Sequence, residues 1–275
     1  MWDALQLEFM RNAVAAGLLV SLVCGVLGTL VVVNRIVFIS GGIAHAAYGG
    51  IGLALYFGVS PALGATLFSV AISMVMGVAS IKSKERADTI IGVMWALGMA
   101  LGIIFTELTP GYNVDLMSYL FGSILSVPGS DIWYMLCLNL VVLLFVFYFY
   151  KELVAMSYDE EFSFVVGIPV RALYFVLLGL ISLSVVMIIR VVGLILVIAL
   201  LTIPPFIAEK YTNSLGRMMV LASLLSMMFT LAGLWVSYQF NLASGATIIM
   251  VAGFAFFLSL GIDAVAARRG KEGKA

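Results

Sequence analysis

The chain has 275 residues, 64% hydrophobic and 10% charged, with a mean hydropathy of +1.20. A soluble domain carries nearer a quarter charged residues, so this is an integral membrane protein whose length is counted in spans. Formal net charge is zero, which leaves no bulk electrostatic case for nucleic acid as a partner.

Charged residues punctuate the chain and set the spans. The first lies between Arg11 and Arg35, at about 13–33. The N-terminus lacks a basic region and an obvious cleavage site, so this run reads as a retained span. No charge occurs from Ile36 to Ile81, room for two helices, and Gly58-Val59-Ser60-Pro61 divides the run into about 36–57 and 61–80. A charged loop from Lys82 to Asp88 precedes a span at about 89–106. After the turn-rich connector Glu107–Asn113, the apolar segment 114–127 is short for a crossing and reads as a re-entrant or interfacial helix. Further spans fall at about 132–150, 172–189, 191–208, 218–237 and 244–262, and 263–275 is a tail. The expected fold is all-α: one transmembrane domain, residues 1–275, of about nine crossings plus the short helix.

Basic residues give the orientation. With the C-terminal tail in the cytoplasm, alternation puts twelve Lys and Arg inside and leaves only Arg11 and Arg190 outside. That bias predicts an outside N-terminus and a cytoplasmic C-terminus. A full crossing by 114–127 would move several of these residues to the wrong side.

The chain's single histidine, His45, sits in Ser40-Gly41-Gly42-Ile43-Ala44-His45-Ala46-Ala47-Tyr48-Gly49-Gly50. Helical spacing puts Gly41, His45 and Gly49 in one row and Gly42, Ala46 and Gly50 in the next. Small residues four apart let another helix approach closely. An imidazole deep in an apolar chain marks a transport path or a hydrogen bond to a neighbouring helix, and in its neutral form it can ligate a transition metal such as zinc. Asp115 opens the short segment, either as a helix-start acid or as an outward-facing ligand or gate. Pro204 and Pro205 near the inner end of a span are expected to break or re-aim it. The amphipathic piece that follows, with Ala208, Glu209 and Lys210, is either a plain helix end or a docking helix for a cytoplasmic partner. Asp159-Glu160-Glu161 in the loop 151–171 reads as a solvated face. Cys24 and Cys137 lie in apolar runs and read as small hydrophobes.

The absences narrow the function. There is no phosphate loop, and no G-x-S-x-G, H-E-x-x-H or C-x-x-C motif. One histidine cannot make a multi-histidine site, and the spans lack the interior carboxylates of a proton relay. A conduit powered from elsewhere fits better than a membrane enzyme; an ATP-independent metal channel or secondary carrier is the alternative.

Four motifs in order resemble the membrane permease subunit of zinc/manganese ABC importers, over about residues 13–262: Ile43-Ala44-His45-Ala46, Arg86–Gly92, Val114–Gly122, and Val192-Gly193-Leu194 through Ile203-Pro204. The resemblance implies the helical fold of the vitamin B12 and siderophore importers and a homodimer in the cell membrane of a prokaryote. It also implies two cytoplasmic ATP-binding subunits, an extracytoplasmic metal-binding protein, and a divalent cargo, zinc ahead of manganese or iron, with no tightly bound cofactor. It makes His45, with Asp115, the metal path, and the Pro204–Asn213 region, including Pro205, Ala208, Glu209 and Lys210, the ATPase contact. Family members commonly carry an Asp four residues before this histidine; here the position is Gly41.

Overall fold

The computed structural model describes residues 6–110, 122 and 124–272. Among them, nine helices are long and apolar enough to cross a membrane: α1 (Glu8–Val33), α2 (Val37–Tyr56), α3 (Pro61–Lys82), α4 (Ala87–Glu107), α5 (Gly129–Tyr148), α8 (Val170–Val192), α9 (Leu194–Tyr211), α10 (Leu215–Phe240) and Ser244–Asp263 of α11 (Ser244–Glu272). Two short helices, α6 (Tyr150–Tyr158) and α7 (Glu160–Val165), occupy the stretch read from sequence as a loop. There Asp159 accepts a hydrogen bond from the Phe162 amide at 2.8 Å and caps α7, so part of that acidic run starts a helix. Asp115 and most of the short segment 114–127 lie outside the described residues, of which Ile124–Ser126 forms one 3-10 turn.

Local chemistry sets the helix ends. Pro61 opens α3, where its missing N–H and fixed φ cost nothing. The α8–α9 junction is the single residue Gly193 at φ +82, a conformation that a side chain would strain. Gly122 packs against this turn at the Val192–Gly193 backbone.

The helices form two interlocked groups. Helix α1 packs on α9, α10 and α5, with α11 against α9 and α10; α2 packs on α3 and α4, with α8 against α3; and α2 also contacts α8 and α9. The least apolar span is the most buried: α2, at mean hydropathy 1.3, is 78% buried, whereas α4, at 2.0, is 22% buried. Hydropathy therefore does not rank depth in this bundle. Glycine and alanine lower the mean of α2 while letting its neighbours close in, and the two most apolar spans, α8 and α1, are themselves 61% and 72% buried.

The rows of small residues on α2 serve that closeness. A Cβ on Gly49 would come 2.7 Å from the Gly98 carbonyl of α4, and Gly52 lies directly against Gly102 of the same helix. Gly50 lies as closely against Gly64 of α3. A second stripe, Gly17, Ser21 and Gly25 on α1, receives α10: Ser21 and Thr230 hydroxyls share a 2.9 Å hydrogen bond, and Gly25 abuts Ser223.

Pro204 and Pro205 do not end their helix. Helix α9 continues through both to Tyr211, which corrects the break expected from sequence. Pro205 leaves the Leu201 carbonyl without its usual helical donor, and that carbonyl faces Gly28 of α1. Both prolines are buried, so packing from α1 holds the segment helical where a solvated chain would bend.

Candidate functional site

His45 lies mid-way along α2, half-buried, facing α4. Its Nδ1 is 2.9 Å from the Gly41 carbonyl oxygen. A carbonyl can only accept, so Nδ1 carries the proton and Nε2 keeps its lone pair. Among the described residues no hydrogen bond engages Nε2. Gly41 thus acts through its backbone: it fixes the tautomer and supplies no oxygen ligand of its own side chain. A Cβ on Gly41 would meet only Ile198 Cδ1 of α9, at 3.5 Å.

The imidazole lies against Trp95 of α4, ring centroids 3.9 Å apart and planes 33° apart. The Trp95 indole N–H donates to Met99 Sδ at 3.2 Å, and the Phe38 ring centroid lies 6.0 Å from that of Trp95. Phe38 in turn lines a polar cavity of about 830 Å³ at the end of the bundle where α2 and α4 begin, together with Arg35, Asp88, Arg171 and Tyr174. At the opposite end a smaller cavity of about 220 Å³ is lined by Ala47 and Ile51 of α2, Pro61 of α3 and Arg190 of α8. Along α2, His45 falls between the residues that line the two cavities.

No group of three or more His, Cys, Asp or Glu side chains that could hold a metal occurs among the described residues. Among the described residues His45 therefore stands as a single nitrogen donor with no carboxylate or thiol grouped around it.

The second candidate segment divides. Pro204, Pro205 and Ala208 are buried in the bundle, Glu209 is exposed, and Lys210 pairs with Asp263 of α11 while also donating to Ser259 Oγ at 3.1 Å. The surface available to a partner is formed by Glu209 and the neighbouring Phe206, Tyr211 and Asn213.

Three contacts had no signal in the sequence. His45 and Trp95 are fifty positions apart, so no helical spacing could join them. Asp131, in the first turn of α5, pairs with Arg190, in the last turn of α8, at 3.2 Å. Lys210 and Asp263 lie on different helices as well.

The ABC 3 transport family matches residues 6–263. The chain belongs to that family. It is 52% identical over 260 residues to an uncharacterised membrane protein of Synechocystis sp., covering 94% of this chain and 92% of that one. It is 33% identical over 255 residues to the manganese transport system membrane protein MntC of Halalkalibacterium halodurans, covering 93% and 87%. Among solved structures it matches PsaBC from Streptococcus pneumoniae, in complex with Fab, with a TM-score of 0.83 at 30% identity over 94% of this chain and 93% of that one. The resemblance seen in the motifs therefore holds. This member of the ABC 3 transport family is a multi-pass membrane permease of a prokaryotic metal-importer type, a transport subunit without a nucleotide-binding domain.

Proposed function

We propose that the chain is the permease of an ATP-driven importer for a divalent first-row transition metal. It works as a homodimer with two cytoplasmic ATP-binding subunits and an extracytoplasmic metal-binding protein, its N-terminus outside and its C-terminus in the cytoplasm. The observation that carries this reading is His45: its Nδ1 is committed to the Gly41 carbonyl and its Nε2 lone pair is open, in the most buried span of the bundle. The energy arrives through the exposed end of α9 around Glu209, and transport is alternating access at the dimer interface.

Zinc ranks first on donor chemistry. An imidazole with no carboxylate beside it suits zinc, whereas manganese favours carboxylate, carbonyl and water oxygens. Manganese is the second reading, because the Halalkalibacterium relative and a 30% identical permease of Streptococcus gordonii carry manganese in their names.

The test is radiolabelled zinc and manganese uptake by proteoliposomes holding the permease with its ATP-binding subunits and binding protein. Uptake is expected to need ATP hydrolysis and to fall sharply in His45→Ala at equal expression. ATP-independent uptake would overturn the importer, and full uptake by His45→Ala would overturn the role of the histidine.

A further inference from the structure

We infer that Trp95 is the positioning residue for metal capture at His45, its indole face fixing the imidazole and favouring it once it holds a cation. The inference rests on the proposed role of His45.

The indole is held at two points. Its N–H, which needs a partner in an apolar setting, is taken by Met99 Sδ one turn along α4. Phe38 packs beside it. So anchored, the ring lies against the imidazole with centroids 3.9 Å apart and planes tilted by 33°. The Nδ1 bond to Gly41 fixes the other side of the imidazole. Together the two contacts leave the ring little freedom to turn, and Nε2 keeps one orientation.

The stack also discriminates between states. A divalent ion at Nε2 draws electron density from the imidazole and leaves that ring positively polarised. The face of an indole attracts such a partner, and more strongly when water is excluded. Trp95 thus adds affinity for the loaded site without donating to the metal.

The test uses the permease with its ATP-binding subunits in nanodiscs, titrated with Zn²⁺ by calorimetry, and with Co²⁺ by tryptophan quenching. Trp95→Leu is expected to weaken Zn²⁺ binding about three- to thirtyfold, with a smaller effect on maximal uptake measured in proteoliposomes. Trp95→Phe, which keeps a ring face, is expected to stay within about threefold of wild type. The share of Co²⁺ quenching that Trp95→Phe removes, which is the Trp95 contribution among the four tryptophans, is expected to vanish in His45→Ala as well. If Trp95→Leu binds Zn²⁺ as wild type does while His45→Ala loses it, the inference falls and the role of His45 stands. If His45→Ala binds as wild type does, the role of His45 falls first. A Trp95→Leu protein with lower melting temperature and maximal uptake but unchanged affinity also overturns the inference, since packing alone would give that. Should Trp95→Leu fail to assemble, Met99→Leu carries the test: it removes only the indole's acceptor, and unchanged affinity there counts against the proposal.

Discussion

Gly28 of α1 backs onto the Leu201 carbonyl of α9, so that a Cβ would come 2.5 Å from the oxygen and 2.9 Å from Pro205 Cγ. This carbonyl is one that Pro205 deprives of its helical hydrogen bond. The close approach of α1 therefore covers a weak point in α9, which leads toward the surface proposed for the ATPase. Gly28→Ala must push the two helices apart. The expected loss is about 1–3 kcal/mol of stability, the usual range for overpacking a tight contact. A thermal-melting comparison in detergent checks it, and an unchanged midpoint would show that the contact is softer than drawn. Gly179→Ala, where the added methyl has 3.6 Å to Met74 Cε, is the control expected to melt close to wild type.

Gly41→Asp tests the donor chemistry. The nearest side chain to its Cβ is Ile198 at 3.5 Å, an ordinary contact, so the substitution enters without moving the backbone. The new carboxylate stands one turn before His45 on the same face. An oxygen beside the nitrogen suits manganese better than the imidazole alone. The expected result is a rise in the ratio of manganese to zinc uptake, about threefold or more, in competition between the two ions. A constant ratio with transport intact would count against His45 as the point of selection.

The spans and the histidine within one of them were legible because each is a local signal. Apolar runs between charges give crossings, and a lone imidazole in such a run is anomalous in itself. The order of burial was not legible: α2 is the least apolar span and the deepest, since glycine and alanine lower hydropathy while promoting contact. The continuity of α9 through Pro204 and Pro205 was hidden too, because what holds it is α1, about 175 positions earlier. The partners of His45, Asp131 and Lys210 are tertiary facts that no periodicity encodes. Asp159 has a further role that its charge did not reveal: it is exposed, as the acidic run suggested, and it also caps a helix.

Asp131 and Arg190 are each well placed alone, an acid in the first turn of α5 and a base in the last turn of α8, where helix dipoles favour them. Their pairing joins α5 to α8 at one end of the bundle. The Arg190 side chain is 40% exposed, so the pair contributes modestly. Asp131→Asn is expected to cost about 0.5–1 kcal/mol. The cost should shrink in about 1 M salt, where exposed charges are screened within a few ångströms. Melting curves of the two proteins at low and high salt measure this, and a salt-independent difference would assign the loss to packing around Asp131 instead.

Lys210 binds the end of α9 to α11 through Asp263 and Ser259, with its ammonium 5.1 Å above the Phe206 ring. The Asp263 side chain is 46% exposed, so the pair adds little stability. Its consequence is mechanical, because the same turn of α9 exposes Glu209 and Tyr211 where the ATPase is proposed to dock. A push on that turn reaches α11 through this tie as well as through the packing of Phe206 on Phe256 of α11. Asp263→Asn is expected to change the melting temperature little and to lower metal moved per ATP hydrolysed, with ATPase activity retained. The double variant Lys210→Asp/Asp263→Lys restores the attraction with reversed sign and is expected to recover part of the ratio. Uptake and phosphate release measured on one preparation give the ratio directly. An unchanged value in Asp263→Asn would mean that this tie does not carry the stroke and that α9 acts through its packing against its neighbours, α1 and α10 foremost.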